Sequence, residues 1–415
     1  MPQDDRETIA SLPGRGPFRE YYDGPMLSRA QSIADLRARA HKLMPRFVLE
    51  YLEGGAGEEA ALTRERTAFA DWRFLPRMLR DVSHRSARHA VLDRDARLPL
   101  AIAPTGLNGL FMRHADLALA RAAARFGVPF IQSTMSNETM EDVARIPGLR
   151  HWWQLYVFGG ERIWHELVDR ALACGCEALV LTVNSQVYGM REWDERQRIG
   201  RSLPSPSTTL DAARHPRWLA STLNHGMPEF ANVRHFLPED KRGFFEGAFW
   251  IRDQMPKDLG WRHVEAIRKR WHGPLLIKGL IHPGDVREAM EHGVDGVILG
   301  THGGRQADWS VSALDVLPEV RELVPRDKAL MISGGIRRGS DILKALALGA
   351  DAVLTGRATL YGLCAHGEGG VRKALEILET EMLNDLGQIG VETLDQLGSN
   401  IVVPAKDPPA LHPAG

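Results

Sequence analysis

Eight short runs of apolar and β-branched residues, each followed by a stretch with apolar positions at helical spacing, constrain this chain more than any other feature. The runs are "PLAIAP" (99–104), "PFIQST" (129–134), "HWWQLYV" (151–157), "ALVLTVN" (178–184), "PLLIKG" (274–279), "GVILGTHG" (296–303), "ALMISGG" (329–335) and "AVLTGR" (352–357). Helical patterns such as "HADLALARAAARFG", "ERIWHELVDRALACG", "PGDVREAMEHG" and "GSDILKALALG" lie between them, and "GVRKALEILETEMLNDLG" closes the set. Strand runs of this length alternating with helices indicate parallel strands joined by crossovers. Eight units over about 280 residues fit a closed (β/α)8 TIM barrel, an α/β fold, better than a doubly wound sheet.

The barrel is placed at 99–390. Residues 1–30, polar and marked by proline and glycine, read as a loose arm, and 31–98 as an N-terminal helical segment covering the barrel. Residues 185–260, rich in Pro, His and Trp, form a long insertion after the fourth strand. At the C-terminal mouth of a barrel such a segment is a lid, an interface or a docking element. Residues 391–415 are a C-terminal tail, and "VPAKDPPALHPAG" within it reads as disordered.

Charge is balanced, with 52 basic and 53 acidic residues, so no general polyanion-binding surface and no nucleic-acid partner are expected. The three cysteines, Cys174, Cys176 and Cys364, cannot pair completely, and C-G-C is no metal clasp. A reducing cytoplasm is the expected location. "MPQDDRETIASLPG" lacks the order of a signal peptide, and no apolar run approaches the roughly 20 residues that span a bilayer. The 16 histidines are scattered without metal-ligand spacing, so no metal is expected. Dinucleotide, P-loop, nucleophile-elbow and zinc-protease motifs are absent.

Barrel active sites are built where strands end, and here every strand ends on polar or glycine residues. In order these are Pro104-Thr105-Gly106, Gln132-Ser133-Thr134, Gln154 with Tyr156, Thr182 with Asn184, Lys278, His302, Ser333-Gly334-Gly335 and Gly356-Arg357. "LGTHGGRQADWS" (299–310) puts His302 and Arg305 at a strand-to-helix turn. The turns "SGGIRRGSD" and "TGRATL" offer backbone N–H groups, helix N-termini and Arg337 or Arg357 to one phosphate. A phosphate cradle without a dinucleotide fingerprint points to a mononucleotide cofactor or a phosphorylated substrate.

The stretch "GTHGGRQADWSVSALDVLPEV" resembles the active-site motif of the FMN-dependent 2-hydroxy acid dehydrogenases and oxidases. The similarity extends through "YLEGGA", "AIAPTGLNGL", "WWQLYV", "LLIKG" and "GGIRRGSDILKALALGADAVLTGRATLYGL", over roughly residues 30–390. The pieces "HPRW" and "HGMPEFANV" look most like the mandelate dehydrogenase branch. The resemblance implies FMN and oxidation of a mandelate-like, aromatic or bulky 2-hydroxy acid to the 2-oxo acid. It makes His302 the base, Arg305 and Arg191 the clamp on the substrate carboxylate, and Tyr51 and Tyr156 hydrogen-bonding partners of the substrate. Lys278 would stabilise negative charge on the reduced flavin. Ala103, Pro104, Thr105, Ser133, Gln154 and Thr182 would bind the ring, with Ser333 near the ribityl chain. Gly335, Arg337, Gly356 and Arg357 would hold the phosphate.

Three positions depart from the pattern. Asn184, Gly300-Thr301 and Ser333 stand where the family has aspartate, a serine–asparagine pair and aspartate, respectively. An uncharged Asn184 predicts a weaker base at His302. These departures keep two alternatives open: a diverged member acting as an oxidase, a monooxygenase or on a related carbinol or amine, and a catalytically weak flavin-binding protein. The resemblance further implies a homo-oligomer, specifically a homotetramer, and leaves the electron acceptor open among a quinone, a carrier and O2. It gives residues 203–237 two uses, a lid, which is favoured, and peripheral contact with the inner face of a membrane.

Overall fold

The computed structural model describes residues 20–196 and 206–405. Eight parallel strands close into a barrel. They are β1 (Leu100–Ile102), β2 (Phe130–Ser133), β3 (His151–Leu155), β4 (Ala178–Thr182), β5 (Leu275–Leu280), β6 (Gly296–Leu299), β7 (Ala329–Ser333) and β8 (Ala352–Thr355). Every strand coincides with one of the eight sequence runs. Neighbours in sequence are neighbours in the ring, and Val353 of β8 pairs with Leu100 of β1 to close it.

Strands buried on both faces need apolar side chains on both, which is why the runs are continuous rather than alternating. One set, including Ile131, Trp152, Val180, Leu276, Ile298 and Met331, fills the barrel interior. The other, including Trp153, Leu179, Leu181, Ile277 and Val297, packs outward against the helices. Those helices span Ala115–Phe126, Met140–Ala144, Glu161–Ala173, Trp261–Arg270, Pro283–Glu291, Ala313–Arg321, Gly339–Ala347 and Arg357–Ile389. The last is bent at His366 and Gly367, where the backbone leaves helical geometry.

Before the barrel, helices Ile33–Leu43, Arg46–Glu53 and Ala60–Thr67 lead to the antiparallel pair His89–Val91 and Arg94–Ala96. Val91 and Ala96 of this hairpin join the interior cluster and plug the end of the barrel where the strands begin. Arg150, just before β3, fastens the plug by donating to Val91 O (2.6 Å) and Arg94 O (3.0 Å) while pairing with Glu177.

Three sequence expectations need correction. The arm read over 1–30 falls partly outside the described residues, yet 20–30 is tied down: Tyr22 N donates to Asp35 Oδ1 (2.7 Å) and Arg39 to Asp23 O (3.1 Å). The tail read as disordered from 403 contributes an antiparallel strand, Val402–Pro404 paired with Trp72–Phe74; its backbone groups find partners there and Val402 is buried. The insertion at 185–260, which shows no helical pattern in its sequence, is largely helical where described, over Glu192–Arg196, Pro206–Ala213, Pro216–His225 and Phe244–Asp253. Its helices are short and take their order from docking rather than from a long apolar stripe. Trp218 shows the docking: its indole donates to Leu110 O (2.8 Å) and its ring meets Phe47 edge-on.

Candidate active site

The C-terminal ends of the strands open into one cavity, roofed by Ala248, Ile251, Arg252 and Met255 of the insertion. Of the residues singled out in the sequence, Tyr51, Ala103, Pro104, Thr105, Ser133, Tyr156, Arg191, Lys278, His302, Arg305, Ser333, Gly335, Arg337, Gly356 and Arg357 line it. Asn184, Gln154 and Thr182 stand one layer back, outside the lining.

His302 sits at the head of the turn after β6 with a left-handed backbone, φ 62°. Such a conformation is uncommon for a residue with a side chain and directs the ring into the cavity. Asn184 Nδ2 donates to Gly300 O (3.0 Å), so its Oδ1 is the atom 3.2 Å from His302 Nδ1. That oxygen can only accept, which places the proton of a neutral imidazole on Nδ1 and leaves Nε2 as an acceptor. Nε2 lies 3.4 Å from the Tyr156 hydroxyl, and the two rings stack. Burial and the fields of Lys278, Arg191, Arg305 and Arg357 hold the His302 pKa well below the usual imidazole range. Burial also pushes the Tyr156 phenol up to about 12, so it is a hydrogen-bond donor at neutral pH.

Arginine dominates the rest of the wall. Arg305 donates to Tyr51 O and Gly54 O (2.7 Å each), and its guanidinium lies over the Tyr51 ring. Arg191 stacks on Tyr188, donates to its hydroxyl, and reaches Arg305 O (3.1 Å) and Gln306 Oε1 (3.1 Å). Arg357 spends donors on Leu52 O (2.9 Å), Gly303 O (2.9 Å) and Gly54 O (3.0 Å), and burial lowers its pKa to about 10. These bonds clamp the segment 51–54 onto the barrel mouth, so the helical segment completes the site. Lys278 is buried, which lowers its pKa to about 8.

Several polar atoms around this mouth are buried without a partner: Thr105 Oγ1, Gln154 Nε2, Thr182 Oγ1 and Thr355 Oγ1. Buried polar groups are rarely left so, and a cluster of them marks a place for a polar ligand. Gln154 is oriented by its other end, where Oε1 accepts from Ser133 Oγ (3.1 Å) and Thr134 N (3.2 Å). Gly334 and Gly335 line the cavity with positive φ, 127° and 72°, and a Cβ on either would strike Glu65, so glycine lets the helix Ala60–Thr67 close onto this turn. A heterocycle with amide-like edges and a phosphate tail, as FMN has, matches this donor set.

The sequence reading missed Glu65, Tyr188, Arg252 and Met255. The last three belong to the insertion, whose helices carried no clear pattern. Glu65 lies in "TRERT", where alternating charge signals a solvated helix face.

Residues 40–404 match the family described as FMN-dependent dehydrogenase. (S)-Mandelate dehydrogenase of Pseudomonas putida is 42% identical over 367 residues, covering 88% of this chain and 92% of that protein. L-Lactate dehydrogenase of Caulobacter sp. (strain K31) is 36% identical over 372 residues, covering 89% and 98%. Among solved structures, that of the monotopic membrane protein (S)-mandelate dehydrogenase superposes with a TM-score of 0.87 at 41% identity, covering 91% of this chain and all of that one. A mandelate oxidase structure superposes at 0.75 with 34% identity, covering 90% and 98%. With the matched span running from the first helices through the barrel to Pro404, the chain belongs to the FMN-dependent dehydrogenase family.

Proposed function

We propose that this enzyme oxidises an aromatic or otherwise bulky 2-hydroxy acid, with His302 as its base. The observation that carries the reading is the placement of His302 Nε2, a neutral acceptor facing the cavity beside the Tyr156 hydroxyl, with Arg191 and Arg305 on the same wall. A planar guanidinium pair suits a carboxylate, and fixing that end brings the adjacent carbinol toward His302. Tyr156 donates to the substrate oxygen, and Tyr51, whose hydroxyl lies 3.1 Å from Gly106 O, flanks the carboxylate end. His302 Nε2 receives the proton, and Asn184 Oδ1 keeps the ring in register while it does so. Bound FMN supplies the acceptor for the substrate's two electrons.

The apolar part of the lining supports the bulky side chain. Leu107, Phe111, Met135, Ile251 and Met255 face the cavity with Tyr188, which leaves a small aliphatic substrate underfilled. The phosphate of FMN is assigned to the two glycine turns with Arg337 and Arg357, and the ring to Gln154, Thr182, Ser133, Lys278 and the 103–105 backbone. The insertion serves as a lid over this cavity. Leu210 (58% exposed) and Leu223 (73% exposed) on its outer side support a second use, contact with a membrane surface. Anaerobic addition of mandelate to the purified yellow protein tests the reading directly. Bleaching of the visible band is the expected result, and a flavin that stays oxidised with every bulky 2-hydroxy acid would overturn it.

A further inference from the structure

Among the described residues the cavity wall holds five arginines and one lysine but no carboxylate. The negative charge is one layer back. Glu65, on helix Ala60–Thr67, is 2% exposed, and its carboxylate projects between the turns after β6 and β7. Its Oε1 accepts from Thr301 Oγ1 (2.5 Å), and that hydroxyl accepts from Gly304 N (3.1 Å). Its Oε2 occupies the space beside Gly334, where a Cβ would stand 1.9 Å away. A charged side chain so deeply enclosed persists only with compensation. Lys278, 5% exposed, reaches from β5 into the cavity that Gly334 also lines, and has no ion pair within hydrogen-bonding reach among the described residues.

We propose that Glu65 is a positioning residue of this site: its carboxylate is the buried counter-charge behind the wall that carries Lys278 and, through Thr301, it anchors the turn that carries His302. The proposal rests on the flavin reading for its functional meaning, since Lys278 is the cation assigned to the flavin. The charged groups facing Glu65 are Lys278 from β5 and Arg357 from the last helix, while the turn after β7 meets it with glycines alone. Arg357 also feels Glu53, whereas Glu65 is the anion that acts on Lys278. Burial disfavours both charges, pushing Glu65 up to about 7 and Lys278 down to about 8, and each field restores the other's charged form.

Competitive acylation of Lys278 across pH 6–10, read by mass spectrometry with and without added FMN, tests this in wild type, Glu65→Gln and Thr301→Val. Glu65→Gln keeps an acceptor for Thr301 but removes the charge, so the Lys278 midpoint falls by about one unit, a tenfold change in ionisation. Thr301→Val keeps both charges but removes the donor that stabilises the carboxylate, and shifts the midpoint in the same direction by less. It decides the question should Glu65→Gln fail to fold. The sulfite affinity of the bound flavin gives a second readout. Glu65→Gln matches wild type at pH 6 and is weaker by about fivefold at pH 8, where about half of the wild-type lysine but only about a tenth of the variant's keeps its proton. Superimposable lysine titrations in all three proteins, or a midpoint that rises, would overturn the proposal. Failure to bind FMN would instead defeat the proposed function and leave the lysine titration readable.

Discussion

Four cationic side chains press on His302, and the consequence is an imidazole that stays neutral far into acid. Because its pKa lies below the usual imidazole value, the acceptor form is fully present at neutral pH and is lost only as pH falls through that depressed value. Flavin reduction followed by stopped flow is therefore expected to be flat across neutrality, with its acid limb well below pH 6.5. Asn184→Asp places a carboxylate where Oδ1 now stands, 3.2 Å from Nδ1. The acid limb should then move up, and reduction should accelerate by at most about tenfold per unit of restored basicity. Slower reduction with every 2-hydroxy acid tried would mean that the asparagine is fitted to other chemistry. His302→Ala should abolish reduction while the visible spectrum shows FMN retained. At this scale the sequence was readable where chemistry sits on a strand end, since strand ends announce themselves by a change from apolar to polar. Glu65 gave no such signal: its burial comes from docking against turns far along the chain.

The hairpin plug is the element whose attachment is most concentrated. One guanidinium, Arg150, holds Val91 O and Arg94 O and pairs with Glu177; both side chains are about nine-tenths buried. Arg150→Ala leaves the Glu177 carboxylate without that partner and the plug without its fastener. Because Arg94 still pairs with Glu177 at 3.3 Å, a loss of about 1.5–3 kcal/mol in denaturant unfolding is expected, with FMN binding retained because the site lies at the opposite end. A loss below about 1 kcal/mol would show that packing of Val91 and Ala96 alone seats the plug. Barrel strands and their helices were legible in sequence because burial on both faces writes a continuous apolar run. The insertion helices were not, because Pro206–Ala213 buries no residue and, among its described side chains, Pro216–His225 buries Trp218 alone, so neither writes an apolar stripe.

For the whole molecule, FMN binds the folded chain at a place built from parts far apart in sequence, so the cofactor is expected to stabilise all of it together. At a hundredfold excess over its dissociation constant FMN should add about 2.7 kcal/mol, read as a rise in thermal midpoint, and riboflavin without the phosphate should add less. Ile251→Ala with Met255→Ala in the roof is expected to open the cavity and speed exchange of substrate, whereas deleting residues 203–237, whose described part contributes nothing to the lining, should not. Co-sedimentation of the intact protein with anionic vesicles, lost on that deletion, would give the insertion its membrane use instead of the lid alone. The pairing of Trp72–Phe74 with Val402–Pro404 has a further consequence, one of timing. During synthesis the early strand emerges while its partner is still untranslated, and it waits with an open edge until Val402–Pro404 has left the ribosome. The barrel seam waits too, since Leu100 pairs with Val353. A nascent chain of this design passes most of its synthesis with two unsatisfied margins, and its yield in a cell is governed by what shields them in the interval.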